Sequence, residues 1–282
     1  MLDTAGCVRL LIEDHRAVPA AVAAAVPALT EFIDALIERV RAGGRLIYVG
    51  AGTSGRLGVL DAAECPPTFQ SDPDQVLGII AGGEAALRRS SEAREDDPRG
   101  AATALEQLAL GSLDTVVAIA AGGTTPFVLG AVDLAGQAGA MTALLTCTPP
   151  STATACDHLI VLDTGPELLT GSTRLKAGSA TKLALNIIST TLFVRLGKVY
   201  SNLMVDLRAT NAKLADRAIR ILCELKPQLT REAASSVLDD AGGELKAAIV
   251  MARLGVDLTA ARAKLAEHGE QLRSILSSIE DA

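Results

Sequence analysis

Residues 45–64 read RLIYVGAGTSGRLGVLDAAE, and the rest of the chain is organised around them. The apolar run Leu46-Ile47-Tyr48-Val49 stops at Gly50-Ala51-Gly52-Thr53-Ser54-Gly55, after which Leu57, Leu60 and Ala63 recur near one helical face. A short apolar run that enters glycines and then a helical period predicts a strand, a tight turn and a helix N-terminus. Such a junction offers unpaired backbone N–H groups and the positive end of a helix dipole, which suits an anion. The glycines let a ligand approach the backbone, and the hydroxyls of Thr53 and Ser54 add two donors. Gly52, Thr53, Ser54 and Gly55 are therefore the candidate phosphate-binding residues.

The same residues also spell G-x-G-x-x-G, a dinucleotide fingerprint that is weak on its own. Two hydroxyls at the mouth suit a terminal phosphate ester better than a buried pyrophosphate. The acid nearest the following strand is Glu84, about ten residues later than a ribose-binding acid is expected. A phosphate ester is the preferred ligand; a dinucleotide and a purely structural glycine turn are the alternatives.

At 282 residues the chain suffices for one large domain, or a medium one with an appendage. Apolar residues make up 49%, yet aromatics only 2% with no Trp, so Ala, Leu, Val and Gly must carry a closely packed core. A net charge of −7 argues against nucleic acid as a partner. No apolar run reaches the roughly 18 residues of a membrane span, and no basic stretch precedes an apolar core at the N-terminus. Neither a span nor a signal peptide is expected. Cys7, Cys65, Cys147, Cys156 and Cys223 form no CxxC and read as buried, reduced thiols of a cytoplasmic protein. His15, His158 and His268 lie far apart, so no metal site is expected.

Along the chain, residues 19–42 predict a helix leading into the first strand, and 76–83 a second strand. Glu84 opens a helix, another covers about 100–109, and 114–123 is a third strand. Residues 125–139 form a helix with a Thr cap and Pro close behind it; 141–147 and 158–165 are two more strands. Strands alternating with helices imply a three-layer α/β fold on a parallel sheet, with ligands at the carboxyl ends of the strands. Residues 175–197 read as a long core or interface helix. Beyond Asp206 only short amphipathic helices remain, a small helical bundle. The expected organisation is a helical segment at 1–44, a phosphate-binding α/β domain at 45–205 and a helical domain at 206–282.

Three clusters are placed to work with a phosphate. Glu64 stands at a helix end before Pro66-Pro67, which are expected to stop that helix and stiffen the loop. A straight helix puts Glu64 on the order of 15 Å from Ser54, longer than a hexose phosphate. Either the helix ends early and folds back, or Glu64 serves another subunit's site. Glu92, Glu95, Asp96 and Asp97 form an acidic cluster whose plainer reading is a solvated face. GSTRLKAGSATK, 171–182, gathers hydroxyls with Arg174, Lys176 and Lys182 at a helix start, suited to a second anion wall or to ordinary capping.

These clusters, in this order, resemble the N-acetylmuramic acid 6-phosphate etherases, a branch of the sugar-isomerase (SIS) fold. The likeness runs from about Glu13 onward and rests on GRLIYVGAGTSGRLGVLDAAECPPTF, IIAGGE, LTGSTRLKAGSATKLALN and NLMVDLRATNAKL, with AEHGEQLR in the tail. It implies cleavage of the lactyl ether at carbon 3 of the phosphosugar, giving N-acetylglucosamine 6-phosphate and D-lactate during peptidoglycan recycling. The implied route is elimination of lactate and then addition of water, on the open-chain aldehyde, with no cofactor or metal. Glu64 falls on the acid that protonates departing lactate, and Glu95 on the base at carbon 2. Thr124, Ser172, Thr173 and Lys176 complete the implied substrate-binding set. A proton alpha to an aldehyde is acidic enough for a carboxylate, and an alkoxide leaving group needs a proton donor.

The chain departs from the family pattern in three places. Ala121-Gly122-Gly123-Thr124 stands where a serine, and often an arginine, is usual; Glu270 follows His268-Gly269 in place of a glycine; and about twenty leader residues are missing. A phosphosugar isomerase of the same fold, and a non-catalytic sensor resembling the glucokinase regulatory protein, are the other two readings. A homodimer with active sites near its interface is expected, and no nucleic-acid or membrane partner.

Overall fold

The computed structural model describes residues 2–89, 94–150 and 155–280, the side chains of 278–280 excepted. Of the acidic cluster, Glu92 lies outside the described residues. The chain divides into two compact units, one of Met1–Cys65 with Asp72–Thr190, the other of Pro66–Ser71 with Thr191–Ala282.

The first unit opens with α1 (Thr4–His15), α2 (Ala17–Ala24) and α3 (Val26–Arg41). The single helix expected over 19–42 is thus broken at Ala25. Then come β1 (Leu46–Gly50), α4 (Gly52–Phe69), β2 (Val76–Ile80), α5 (Ala85–Arg88), α6 (Ala102–Gln107) and β3 (Thr115–Ile119). α7 (Pro126–Gln137), β4 (Met141–Thr146), β5 (His158–Val161) and α8 (Lys176–Arg195) follow. The five strands form one parallel sheet in the order β2-β1-β3-β4-β5. β1, β3 and β4 are buried along their whole length, while the edge strands β2 and β5 are partly open. Continuous burial is what a parallel sheet covered on both faces requires, and it explains the unbroken apolar runs. On one face Ile47, Val49, Val116, Ala118 and Leu144 pack on Phe127, Val128, Ala131 and Val132 of α7.

One expectation fails at Pro66-Pro67. α4 does not stop there but continues through both prolines to Phe69. The prolines sit in the last turn and lack the N–H groups that would donate to the Ala62 and Ala63 carbonyls, a loss the helix bears. The turn still closes through the Gln70 N–H, which donates to the Pro66 carbonyl at 2.9 Å. Phe69 is buried and stacks on Phe193 with ring centroids 4.6 Å apart, so apolar burial carries the helix past its breakers.

The second unit contains the short antiparallel pair β6 (Val199–Tyr200) and β7 (Leu203–Met204). Then follow α9 (Ala212–Leu225), α10 (Arg231–Asp240), α11 (Leu245–Leu254), α12 (Leu258–Glu267) and α13 (Leu272–Glu280). Val205, Leu222, Leu245, Val250 and Leu276 sit in its core. Asn211, Thr230 and Asp257 cap α9, α10 and α12 with their side chains, which accounts for where these helices start.

All five cysteines are unpaired, and Cys7 is exposed where a buried thiol was expected. α1 buries none of its residues, so its thiol faces outward. No single helix among the described residues is long and apolar enough to cross a membrane.

The amino-terminal ends of β1 and β3 are tied by Asp114. Its carboxylate accepts from the Arg45 N–H, Nε and Nη2 at 3.1, 3.0 and 2.7 Å, and from the Gly111 N–H at 2.9 Å. Burial raises the Asp114 pKa, but the donors of Arg45 and Gly111 outweigh it, and the carboxyl is held below its ordinary value. A carboxylate with a lowered folded-state pKa contributes stability above its unfolded value, and that contribution is lost as the pH falls through the folded one. Asp114→Asn should cost about 2–4 kcal/mol at pH 7. In urea titrations the gap to the parent protein should narrow below about pH 4.

Candidate active site

The loop between β1 and α4 is as tight as the glycines suggested. A Cβ on Gly50 would lie 2.6 Å from the Gly55 N, and one on Gly55 would lie 2.6 Å from the Gly50 carbonyl oxygen. Both residues must be glycine for strand and helix to touch. Gly52, at φ +54°, starts the helix in a backbone conformation that side chains resist. The N–H groups of Gly52, Thr53 and Ser54 occupy the first turn, which a helix leaves without internal partners. Thr53 and Ser54 are half-buried at the carboxyl end of β1.

Three further segments reach this end of the sheet. The exit of β3, 120–125, carries exposed Thr124; Gly123 there has φ +70° and packs beside Thr146. Thr125 is the N-cap of α7, but its side chain makes no capping hydrogen bond. The Phe127 N–H in the first turn of α7 instead donates to the Glu95 carbonyl at 3.0 Å. That bond ties the Glu95 turn to the β3 exit and leaves Glu95 half-buried. Beside it, a cavity of about 770 Å³ is lined in part by Gly83, Glu84, Arg94, Asp97 and Phe127.

The third segment is the start of α8. A Cβ on Gly178 would be 3.6 Å from Thr53 Cγ2, so the first turn of α8 lies against the first turn of α4. Ser172 and Thr173 form the turn before α8, through N–H bonds to the Leu169 and Gly171 carbonyls. The α8 N-terminus is already capped: Glu167 accepts from the Lys176 and Ala177 N–H groups at 3.1 and 2.9 Å. Lys176 is itself buried, and its Nζ donates to Asp14 of α1 at 2.8 Å and to the Pro166 carbonyl at 2.7 Å. Neither role was foreseen: Asp14 acts across 162 positions, and Glu167 caps the helix from the irregular loop before it.

Glu64 is exposed on α4, ten residues beyond Ser54. Since the helix continues to Phe69, a chain that ends early and folds back is excluded, and the separation is on the order of 15 Å. One turn before Glu64 lies a buried polar cluster that sequence reasoning missed. Asp61, only 3% exposed, accepts from the Tyr48 hydroxyl at 3.1 Å and from Lys182 Nζ at 3.2 Å. Lys182 also donates to the Asn186 side-chain oxygen at 2.7 Å. Burial first, and then the Asp61 charge, push the Tyr48 phenol well above its ordinary pKa. The buried Cys65 thiol is pushed up to about 12 by burial, with Asp61 adding to the rise. The available signal was an Asp in the middle of an otherwise apolar helix.

A five-stranded parallel sheet whose first strand opens through a glycine and hydroxyl loop onto a helix, with a third-strand loop and a late helix beside it, defines an SIS-type α/β domain. In agreement, residues 28–136 match the family model for the glucokinase regulatory protein N-terminal SIS domain. A solved phosphoheptose isomerase from Francisella tularensis superposes with a TM-score of 0.55 at 16% identity, covering 69% of this chain and 100% of that one. That likeness shows the fold. The N-acetylmuramic acid 6-phosphate etherase of Synechococcus sp. (strain CC9605) is 52% identical over 98% of this chain and 88% of its own. That of Rubrobacter xylanophilus is 52% identical over 94% of this chain and 88% of its own. The chain belongs to the N-acetylmuramic acid 6-phosphate etherase family.

The Glu95 turn is held through a glycine in α7. A Cβ on Gly130 would lie 1.7 Å from the Pro98 carbonyl oxygen, so helix and turn touch backbone to backbone. Gly130→Ala should destabilise the protein by about 1–3 kcal/mol and lower turnover by shifting residues 94–100. Gly136→Ala, in the same helix with nothing within 4 Å of the added methyl, is the control and should hold or slightly raise the melting temperature.

Proposed function

We propose that the protein cleaves the lactyl ether of N-acetylmuramic acid 6-phosphate, giving N-acetylglucosamine 6-phosphate and D-lactate. What carries this reading is near-full-length similarity to etherases, combined with glutamates at both positions the chemistry needs. The work is that of a carbon–oxygen lyase. Glu95 removes the carbon-2 proton of the open-chain aldehyde, and the electron pair expels the carbon-3 oxygen as Glu64 protonates it. Water then adds at carbon 3 and a proton returns to carbon 2, so the net change is hydrolysis. One glutamate must begin ionised and the other protonated, which requires different surroundings. Glu95 lies in a half-buried turn, whereas Glu64 lies on an open helix face.

The 6-phosphate is assigned to the first turn of α4 with Ser54 and Thr53, joined by Thr124, Ser172 and Thr173. Lys176, engaged with Asp14, contributes by fixing the start of α8 beside that loop. Recycling of an amino sugar phosphate suits the cytoplasm.

In deuterated water, Glu64→Ala should still exchange the carbon-2 proton while releasing almost no lactate, and Glu95→Gln should do neither well. Lactate release by both variants at the parental rate would sink the assignment.

A 15 Å gap within one chain is too long for a single hexose phosphate, which supports a homodimer whose sites take phosphate ligands from one subunit and Glu64 from the other. Subunits of inactive Ser54→Trp and Glu64→Ala, mixed after dissociation, should then recover up to about a quarter of parental activity. A mixture that stays inactive although exchange is confirmed would rule out the shared site.

A further inference from the structure

The substrate proposed above differs from its sugar product by one lactyl group, and that group carries a carboxylate. The carboxyl carbon is two covalent bonds from the ether oxygen, roughly 2.5 Å. Whatever residue protonates that oxygen brings the carboxylate close to its own charge. A cation beside the acid would discriminate the substrate and offset the repulsion that arises between the lactyl carboxylate and the acid once the acid has given up its proton.

We infer that Lys182 is the residue that binds the lactyl carboxylate. Asp61 and Glu64 are three residues apart on α4, with Cβ atoms about 5–6 Å apart on neighbouring positions of the helix surface. Lys182 Nζ is 3.2 Å from Asp61, so the ammonium sits one turn from Glu64, at the seam where α8 meets α4. Cys65 lies at the same place, and its thiol is influenced by Asp61, Lys182 and Glu64 together. An ammonium has three N–H donors; among the described residues Asp61 and Asn186 take two, and the side chain is 32% exposed, so one donor is left for an incoming anion.

Two other cations of these segments are engaged elsewhere. Arg56 donates to the Leu87 and Arg89 carbonyls, and Lys176 to Asp14 and Pro166. Asp61 is the reason Lys182 can do this. A lysine this close to packed apolar helices is paired and aimed by a buried carboxylate, whose second oxygen is taken by Tyr48. Because Lys182 and Glu64 ride on the same two packed helices, they serve the same site, whether that site belongs to their own subunit or to its partner.

The proposal rests on the etherase reading, and its test separates the two. Lactate release from N-acetylmuramic acid 6-phosphate gives KM and kcat, and N-acetylglucosamine 6-phosphate, which lacks the carboxylate, serves as competitive inhibitor. Lys182→Gln should raise KM on the order of 10- to 100-fold, the value of one charge-assisted hydrogen bond, and leave the inhibition constant within about twofold. Lys182→Arg, which keeps the charge, should recover part of the loss. Equal weakening of substrate and inhibitor would reduce Lys182 to a structural ion pair, and no change in either would also overturn the proposal. If the parent protein releases no lactate, the etherase reading fails first. Calorimetric binding of the two sugars then still decides this one: Lys182 is overturned if the muramic acid phosphate binds no tighter than the product, or loses nothing in Lys182→Gln. Thermal melts of each variant establish that it is folded.

Discussion

The carboxylate of Asp61, sealed between β1, α4 and α8, is the contact on which the first unit's site depends. Its two oxygens are taken by Tyr48 from the sheet and by Lys182 from α8, so one side chain fixes three elements together. A buried charge is tolerated only when paired, and removing one partner typically costs about 3–5 kcal/mol. Those elements carry the phosphate loop, Glu64 and the segment that follows Ser172. The geometry of the site is thus set by a residue outside it.

Around that anchor the packing relies on the absence of side chains. Gly50 against Gly55 and Gly130 against Pro98 are two places where backbone occupies the space of a Cβ. With aromatics at 2%, such close approaches stand in for large interlocking rings. They also make the site stiff, because a contact between backbones has no rotamer to change. Stiffness of this kind fixes the orientation of whatever binds there.

The charges of the first unit divide by task. Asp114 with Arg45, and Asp14 with Lys176, are structural ties at the two ends of the sheet and its late helix. Glu167 closes the α8 N-terminus, so the anion-binding capacity of that helix end is spent within the chain. Among the described residues the first turn of α4 receives no comparable carboxylate cap, so its N–H groups are open to the phosphate proposed for it.

The strand–loop–helix at 45–64, the alternation that requires a parallel sheet and the helical tail were legible in the sequence, because period and glycine spacing are local properties. The order β2-β1-β3-β4-β5, the passage of α4 through Pro66-Pro67 and the pairing of Lys176 with Asp14 were not. Pro66-Pro67 signal a stop by their own chemistry, and only the burial of Phe69 against Phe193 overrides it. Lys182 in the sequence is one cation among hydroxyls at a helix start; its tie to Asp61 joins residues 121 positions apart. Local pattern determines which elements form, whereas which charge meets which is decided by packing at long range, where burial makes an unpaired ion too costly to leave alone.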